Sequence, residues 1–294
     1  MKILNAEDVR TLLVIKKSDR GALSESYRDI SKESKQVLVW LKEIEENNKN
    51  CDAVFFNGAI GGMISAKEIK KVYRESIDCE AYTKQFGKTL GKIVNSMTDE
   101  KELPCCINIK SVPLKIKASN FVLILARLLK VLNNDIARGG KRSEAFIYSE
   151  TGYIELGNGE IGIFMIPGEL FPELYNGEFL TEYMSATGRR AEYTIIKDMT
   201  DAKHTFVIGL CNDELGYIIP DNDFFLNDKL PYIDSGKDIF GRNHYEETNS
   251  TGPETARTIL DATEALIKLK INHYDLILTD LNMPNMDGFE FIQT

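Results

Sequence analysis

What this 294-residue chain lacks narrows it before any motif is read. It has no apolar run of membrane-spanning length. The longest, Phe121 to Leu132, is interrupted by Arg127 and Lys130 and falls short of the roughly 20 residues a bilayer requires. That run predicts a buried helix instead, capped by Ser119 or Asn120. Leu12 to Ile15 is too short for a secretory apolar core, and Lys16-Lys17 lies on its wrong side, so no signal peptide is expected. Basic clusters are missing too: 36 Lys+Arg against 45 Asp+Glu leave a net charge of -9, which disfavours nucleic acid or an anionic membrane surface as the main partner. Lys67, Lys70 and Lys71 alternate with acids and read as a solvated helix face. Histidine is scarce, with only His204, His244 and His273, and none forms a paired metal motif. The five cysteines, Cys51, Cys79, Cys105, Cys106 and Cys211, are odd in number and lack metal-ligand spacing. They are expected to be reduced and mostly buried, in a cytoplasmic protein.

What is present suffices for a sizeable core: 43% of the residues are hydrophobic, enough for one large domain or two. Ser31 to Asn48 reads as an amphipathic helix with Trp40 and Ile44 toward the core. Asp52 to Phe56 reads as a buried strand that runs into Asn57-Gly58-Ala59-Ile60-Gly61-Gly62. That loop lacks the Lys-Ser/Thr ending of a phosphate loop and the spacing of a dinucleotide fingerprint. Helices are predicted over about 66–75 and 80–96, and strands over about 106–117. Tyr153 to Leu156 and Ile161 to Met165 flank Gly157-Asn158-Gly159, a hairpin signal. Beyond lie Pro167-Gly168-Glu169, an amphipathic helix from about Phe171, and a strand from His204 to Cys211. A long polar loop over about 220–250 and a helix from about Pro253 to Lys270 follow. Strands and helices mix without strict alternation, which predicts an α/β fold with a mixed α+β sheet and helices on its faces.

Near the carboxyl end, Tyr274 to Gly288 reads YDLILTDLNMPNMDG. An apolar run, Leu276 to Leu278, leads to Asp280 at a strand's carboxyl end, where open α/β sheets place their ligands. Met283-Pro284 and Met286-Asp287-Gly288 then make a tight loop. The string resembles the phosphoacceptor strand and loop of a response-regulator receiver domain, of flavodoxin-like fold. The resemblance implies Asp280 as the phosphoacceptor, magnesium as its cofactor and a histidine kinase as its partner. A working receiver also needs an acidic pair on its first strand, and a hydroxyl residue and a lysine on later ones. Glu7-Asp8 is the only candidate pair and reads better as helix-capping acid. With six residues after Gly288, Asp280 is expected to be a relic or a fragment.

Four further strings occur in order: VFFNGAIGGMIS (Val54 to Ser65), GIFMIPGELFPEL (Gly162 to Leu174), FVIGLCNDELGYIIP (Phe206 to Pro220) and HYEETNSTGPETARTILDATEAL (His244 to Leu266). Together they resemble the carboxyl-terminal half of the catalytic domain of neutral/alkaline ceramidases. That family hydrolyses an amide with one zinc ion, a Lewis acid that activates water. The resemblance implies Glu169 and Tyr217 as two of the metal ligands and an amide-bearing lipid-like or small-molecule substrate. It also implies that the glycine loop after Val54 lines the active-site side of the sheet. Read alone, Glu169 is an acid at a helix N-terminus and Tyr217 a core aromatic. The family's two metal histidines have no counterpart here. His204 and His244 read as structural or loop residues, and two oxygen ligands hold zinc poorly. No counterpart of the catalytic serine segment is found.

The expectation is therefore a truncated ceramidase-like amidohydrolase domain over 1–270 with an incomplete zinc site and little activity, joined to a partial receiver segment over 271–294. The alternative is a phosphorelay protein phosphorylated on Asp280. Aspartyl phosphorylation and zinc hydrolysis both require charge neutralisation that these strings alone do not supply.

Overall fold

The computed structural model describes residues 2–3, 12–16, 32–48, 51–63, 79–97, 102–132, 136–138 and 144–271. The chain divides into two compact units, Met1–Asn57 with Met63–Leu103, and Gly58–Gly62 with Pro104–Thr294. The expected junction near residue 270 falls at the edge of the described residues. The predicted helix over 66–75, together with Glu7-Asp8, His273 and Asp280, lies outside them.

In the first unit an antiparallel sheet runs β1 (Lys2–Ile3), β2 (Leu12–Lys16), β3 (Cys51–Phe55). Helix α1 (Lys32–Asn47) packs beside α2 (Cys79–Ser96) and against β3. Its apolar positions fall on one stripe, as the predicted helix requires. Trp40 and Ile44 are buried with Ala53 and Val94, and Trp40 meets the Phe55 ring edge-on at 5.7 Å.

The second unit is built on a five-stranded mixed sheet: β4 (Ile107–Lys117), β6 (Ala145–Leu156), β7 (Ile161–Met165) and β9 (His204–Ile208) in that order, with β5 (Ile136–Arg138) also paired to β6. The α/β class and mixed sheet expected from the sequence are present. In β4, Val112, Leu114 and Ile116 are buried at alternate positions, the period of a strand with one face on a core. Pro113 is tolerated because β4 pairs only with β6 and needs no second ladder. The β6–β7 hairpin turns at Gly157 to Glu160, where Gly157, Asn158 and Gly159 all take positive φ. β7 is buried almost throughout because it lies between β6 and β9, and its pairing with β9 is parallel.

Helix α5 (Thr255–Ile271) covers β4 and β6. It buries Ala256, Ile259, Leu260, Thr263, Leu266 and Ile267, the spacing of one helical face, while Glu264 and Lys268 pair at 2.6 Å nearer solvent. Phe164, Ile166, Leu170, Leu174 and Ile196 complete the core. The helix expected from Phe171 is one short turn, α4 (Pro172–Asn176), ended by Gly177 in the left-handed region.

Two expectations need correction. The helix read as buried, α3 (Phe121–Leu128), is largely exposed along one face: Phe121, Val122, Leu125, Leu128 and Leu129 all reach solvent, while Ile124 packs on the core. Apolar composition signals helix, but burial depends on what the fold lays over it. The cysteines are also less buried than expected: Cys105 is exposed, and Cys106 and Cys211 are half-buried free thiols.

Asn120, one of the two predicted caps, is the cap of α3. Its Oδ1 accepts from Val122 N at 3.0 Å and Leu123 N at 3.3 Å, and its Nδ2 donates to the carbonyls of Thr248 and Ser250. The side chain is fully buried, so both functions are lost together in Asn120→Ala, which should cost about 2–4 kcal/mol. Asn120→Asp keeps the cap but sets a carboxylate against two carbonyls. Urea unfolding should therefore find Asp no better than Ala; an Asp variant of wild-type stability would show that the carbonyl bonds contribute nothing.

Candidate functional site

The parallel strands β7 and β9 end at the same edge of the sheet, and both predicted ligand strings begin there. After β7 the chain continues through Ile166-Pro167-Gly168 into β8 (Glu169–Leu170). After β9 it turns through Leu210, at φ 54°, and reaches β10 (Tyr217–Ile218). β8 and β10 pair in parallel with Glu169 directly opposite Tyr217. Glu169 N donates to Gly216 O at 3.0 Å and Phe171 N to Ile218 O at 3.1 Å. Residues 48 apart in sequence thus sit side by side at strand tips, where α/β sheets hold ligands.

Glycine makes this approach possible. Gly216 has φ 82°, and a Cβ there would collide with the Asn249 carbonyl. Gly61, in the loop after Val54, donates its amide to Leu170 O at 2.8 Å, and a Cβ there would lie 2.5 Å from Glu169 O. The glycine loop therefore meets this edge through backbone contact.

The electrostatics are those of an acidic surface in which Glu169, Tyr217, Tyr245 and Glu246 are half-buried and Glu214 is exposed. Burial pushes the Glu169 carboxyl above the ordinary range, Glu214 adds repulsion, and the Tyr217 hydroxyl partly offsets both. Burial likewise raises Glu214, whose Oε1 accepts from Gly216 N at 2.9 Å, and Glu246. The phenols of Tyr217 and Tyr245 are raised first by burial. The two rings meet edge-on at 6.1 Å, and Phe171 meets Tyr217 at 6.3 Å. The Tyr245 hydroxyl is buried beside the Tyr217 hydroxyl and the Glu246 carboxyl. Such a group of carboxyls and neutral phenols can hold and pass protons.

A zinc ion does not fit the residues present. Glu169 and Tyr217 offer two oxygens, and a phenol with a raised pKa resists becoming a phenolate ligand. Among the described residues no three His, Cys, Asp or Glu converge on one point. His204 opens β9 at its amino end, about 13 Å from the strand tip at a rise of about 3.3 Å per residue. His244 is buried between two carboxylates of its own. Both histidines stand outside the site, as structural residues do. An open cleft of about 550 Å³, lined by Phe179, Leu180, Arg190, Tyr193 and Asp198 among others, shares no residue with the acid–tyrosine cluster.

Sequence reading missed Tyr245, Glu214 and Glu246 as members of the cluster. Each lay inside a string already singled out, but only the return of the 3-10 turn Glu246–Asn249 beneath β10 brings Tyr245 to Tyr217.

No protein-family model matches the chain, and no solved structure matches it. Short similarities exist to sensor protein EvgS of Escherichia coli strain K12, 63% identical over 30 residues, and to EvgS of Escherichia coli O157:H7, 60% identical over 30 residues. Each spans 10% of this chain and 2% of the length of the sensor protein. No helix among the described residues is long and apolar enough to cross a membrane.

A raised carboxyl pKa means the folded state binds that proton more tightly than the unfolded chain. Its contribution is complete below the ordinary value near 4.5 and is lost as pH rises through the folded value. At pH 7 the charge on Glu169 therefore strains the fold. Glu169→Gln should raise the melting temperature at pH 7 and lose that advantage near pH 4. A variant less stable than wild type at pH 7 would show that the carboxylate is favourably paired. Tyr217→Phe removes the hydroxyl that favours the charged form, so the Glu169 carboxyl followed by carbon-13 NMR should titrate higher still; a downward shift would contradict the arrangement.

Proposed function

We propose that the second unit is a truncated, catalytically impaired amide hydrolase of ceramidase-like ancestry, with Glu169 and Tyr217 the remains of its zinc site. The observation that carries this reading is the pairing of these two residues across β8 and β10, at the carboxyl ends of adjacent parallel strands. A carboxyl and a phenol oxygen so placed on rigid backbone face one point, the arrangement a metal hydrolase needs for part of its ligand set. The remainder of that set is imidazole, which polarises the ion and leaves it open to water. With that share missing, the ancestral substrate, an amide-bearing lipid or small molecule, would meet carboxyls and phenols with no Lewis acid beside them to activate the attacking water.

Added zinc should bind weakly, perturb tyrosine absorbance and wash out on dialysis, and either Glu169→Gln or Tyr217→Phe should abolish the perturbation. Hydrolysis of a fluorogenic long-chain amide should stay at the rate of buffer with or without the metal. No zinc response at any concentration would remove the ligand assignment. Turnover lost in Glu169→Gln would show that the site is not impaired.

A second reading, a phosphorelay role for Asp280, is supported by the similarity to a sensor protein over 30 residues, about the size of the receiver-like tail. A histidine kinase would be the partner and magnesium the cofactor. Aspartyl phosphorylation needs acidic, hydroxyl and lysine partners to neutralise the phosphoryl charge, and the receiver-like string by itself does not supply that set. Incubation with a small phosphodonor and magnesium should therefore give background labelling that Asp280→Asn leaves unchanged. Strong labelling lost in that variant would make the tail a competent receiver.

A further inference from the structure

The excursion from Pro220 to Ser250 has little regular structure to hold it. It contains the two-residue strands β11 (Gly236–Lys237) and β12 (Asn243–His244), the 3-10 turn Glu246–Asn249, and Phe224 and Tyr232, which form a small apolar cluster with Ile219. What ties its segments together is a buried ion network. Arg242 reaches Asp238 Oδ2 at 2.6 Å and Asp223 Oδ1 at 2.9 Å. Asp238 Oδ1 also accepts from the amides of Phe240 and Arg242, each at 2.9 Å. Asp223 takes Ala186 N at 2.7 Å, and Glu247 Oε1 takes Phe225 N at 3.0 Å. At the centre is His244, with Nδ1 2.8 Å from Glu247 Oε1 and Nε2 3.3 Å from Asp238 Oδ2.

An ionised carboxylate only accepts hydrogen bonds, and a neutral imidazole has a single N–H. Both contacts can be hydrogen bonds only if the ring is doubly protonated. We propose that His244 is an imidazolium clamp that locks the 220–250 excursion and so holds Tyr245 against Tyr217, and that loss of its proton releases that wall of the acid–tyrosine cluster.

The charge balance explains why the proton matters. Asp223, Asp238 and Glu247 face Arg242 and His244, and Glu246 adds its field to the ring. The Asp238 side chain is fully buried, that of Glu247 nearly so, and the Glu247 Oε2 has no hydrogen-bond partner among the described residues. Burial opposes ionisation of Asp238, but hydrogen bonds from Arg242 and His244 win and hold it at about 2, so it cannot take up a proton when the ring gives one up. Burial also opposes the charge on His244. Its bond to Glu247, that carboxylate's field and the bond to Asp238 outweigh it and raise the ring above its ordinary 6.5. The stabilisation is then complete below pH 6.5 and is lost as pH rises through the folded value. The Phe225 ring lies 5.5 Å from that of His244 on one side of the network. The inference rests on this network and is independent of any metal at Glu169 and Tyr217.

The test uses the full chain with nitrogen-15 histidine, assigned by His244→Gln. At pH 6 both ring nitrogens of His244 should carry protons. As pH rises from 6 to 9 the ring should lose one, and the near-ultraviolet circular dichroism of the tyrosines should step with the same midpoint. His204→Gln should keep that step, whereas His244→Gln, which offers donors on one side only, should lose it. A ring found neutral at pH 6, or one that titrates while the tyrosine signal stays flat, overturns the proposal. If His244→Gln fails to fold, the assignment passes to His204→Gln and His273→Gln by elimination and the wild-type titration decides.

Discussion

The parallel pairing of β7 with β9 is the constraint on which the candidate site depends. Parallel neighbours end at the same edge of a sheet, so the segments that leave them emerge together. Here each segment makes a short turn and pairs again, β8 with β10, and the second pairing sets Glu169 opposite Tyr217. Gly216, in the left-handed region, and Gly61, whose amide reaches Leu170, let three backbones converge where side chains would collide. The core beneath, from Phe164 and Ile166 to Leu170 and Ile218, gives the edge its rigidity.

That rigidity supports an electrostatically strained surface. Glu169, Glu214 and Glu246 are all raised by burial and lie near two phenols that resist ionisation. Of the described histidines, His244 bears on Glu246 through its charge, and none is a partner of Glu169. A structural cluster would be expected to acquire a compensating cation, as Asp223 and Asp238 acquired Arg242 a short distance along the chain. An uncompensated group of acids at strand tips is the pattern that functional sites leave, because strain at such places is tolerated for chemistry and offset by packing elsewhere. Among the described residues no imidazole joins Glu169 and Tyr217, and His244 is committed to a structural task between Asp238 and Glu247.

Much of the fold was legible because it follows local periodicity. Val112, Leu114 and Ile116 alternate as a half-buried strand must, the face from Ile259 to Ile267 recurs as a helix must, and Asn158-Gly159 turns the hairpin. Burial of whole elements was less legible. Phe121 to Leu132 is as apolar as a core helix, yet nothing local records that much of α3 faces solvent. Adjacency across the sheet was the least accessible. Residue types gave no reason to pair Glu169 with Tyr217, and only the resemblance of the ordered strings did so. The contributions of Tyr245 and Glu246 depend on the path of the irregular excursion from Pro220 to Ser250, and that of Glu214 on the turn before β10, neither of which any periodicity describes.

The central claim is that strand-tip oxygens without imidazole cannot retain a catalytic metal. Its most direct test is the zinc content of the full chain, purified without chelator, loaded with zinc and dialysed to equilibrium. The account predicts far less than one ion per chain, with Glu169→Gln and Tyr217→Phe indistinguishable from wild type. One tightly held zinc per chain, released by either substitution, would contradict it.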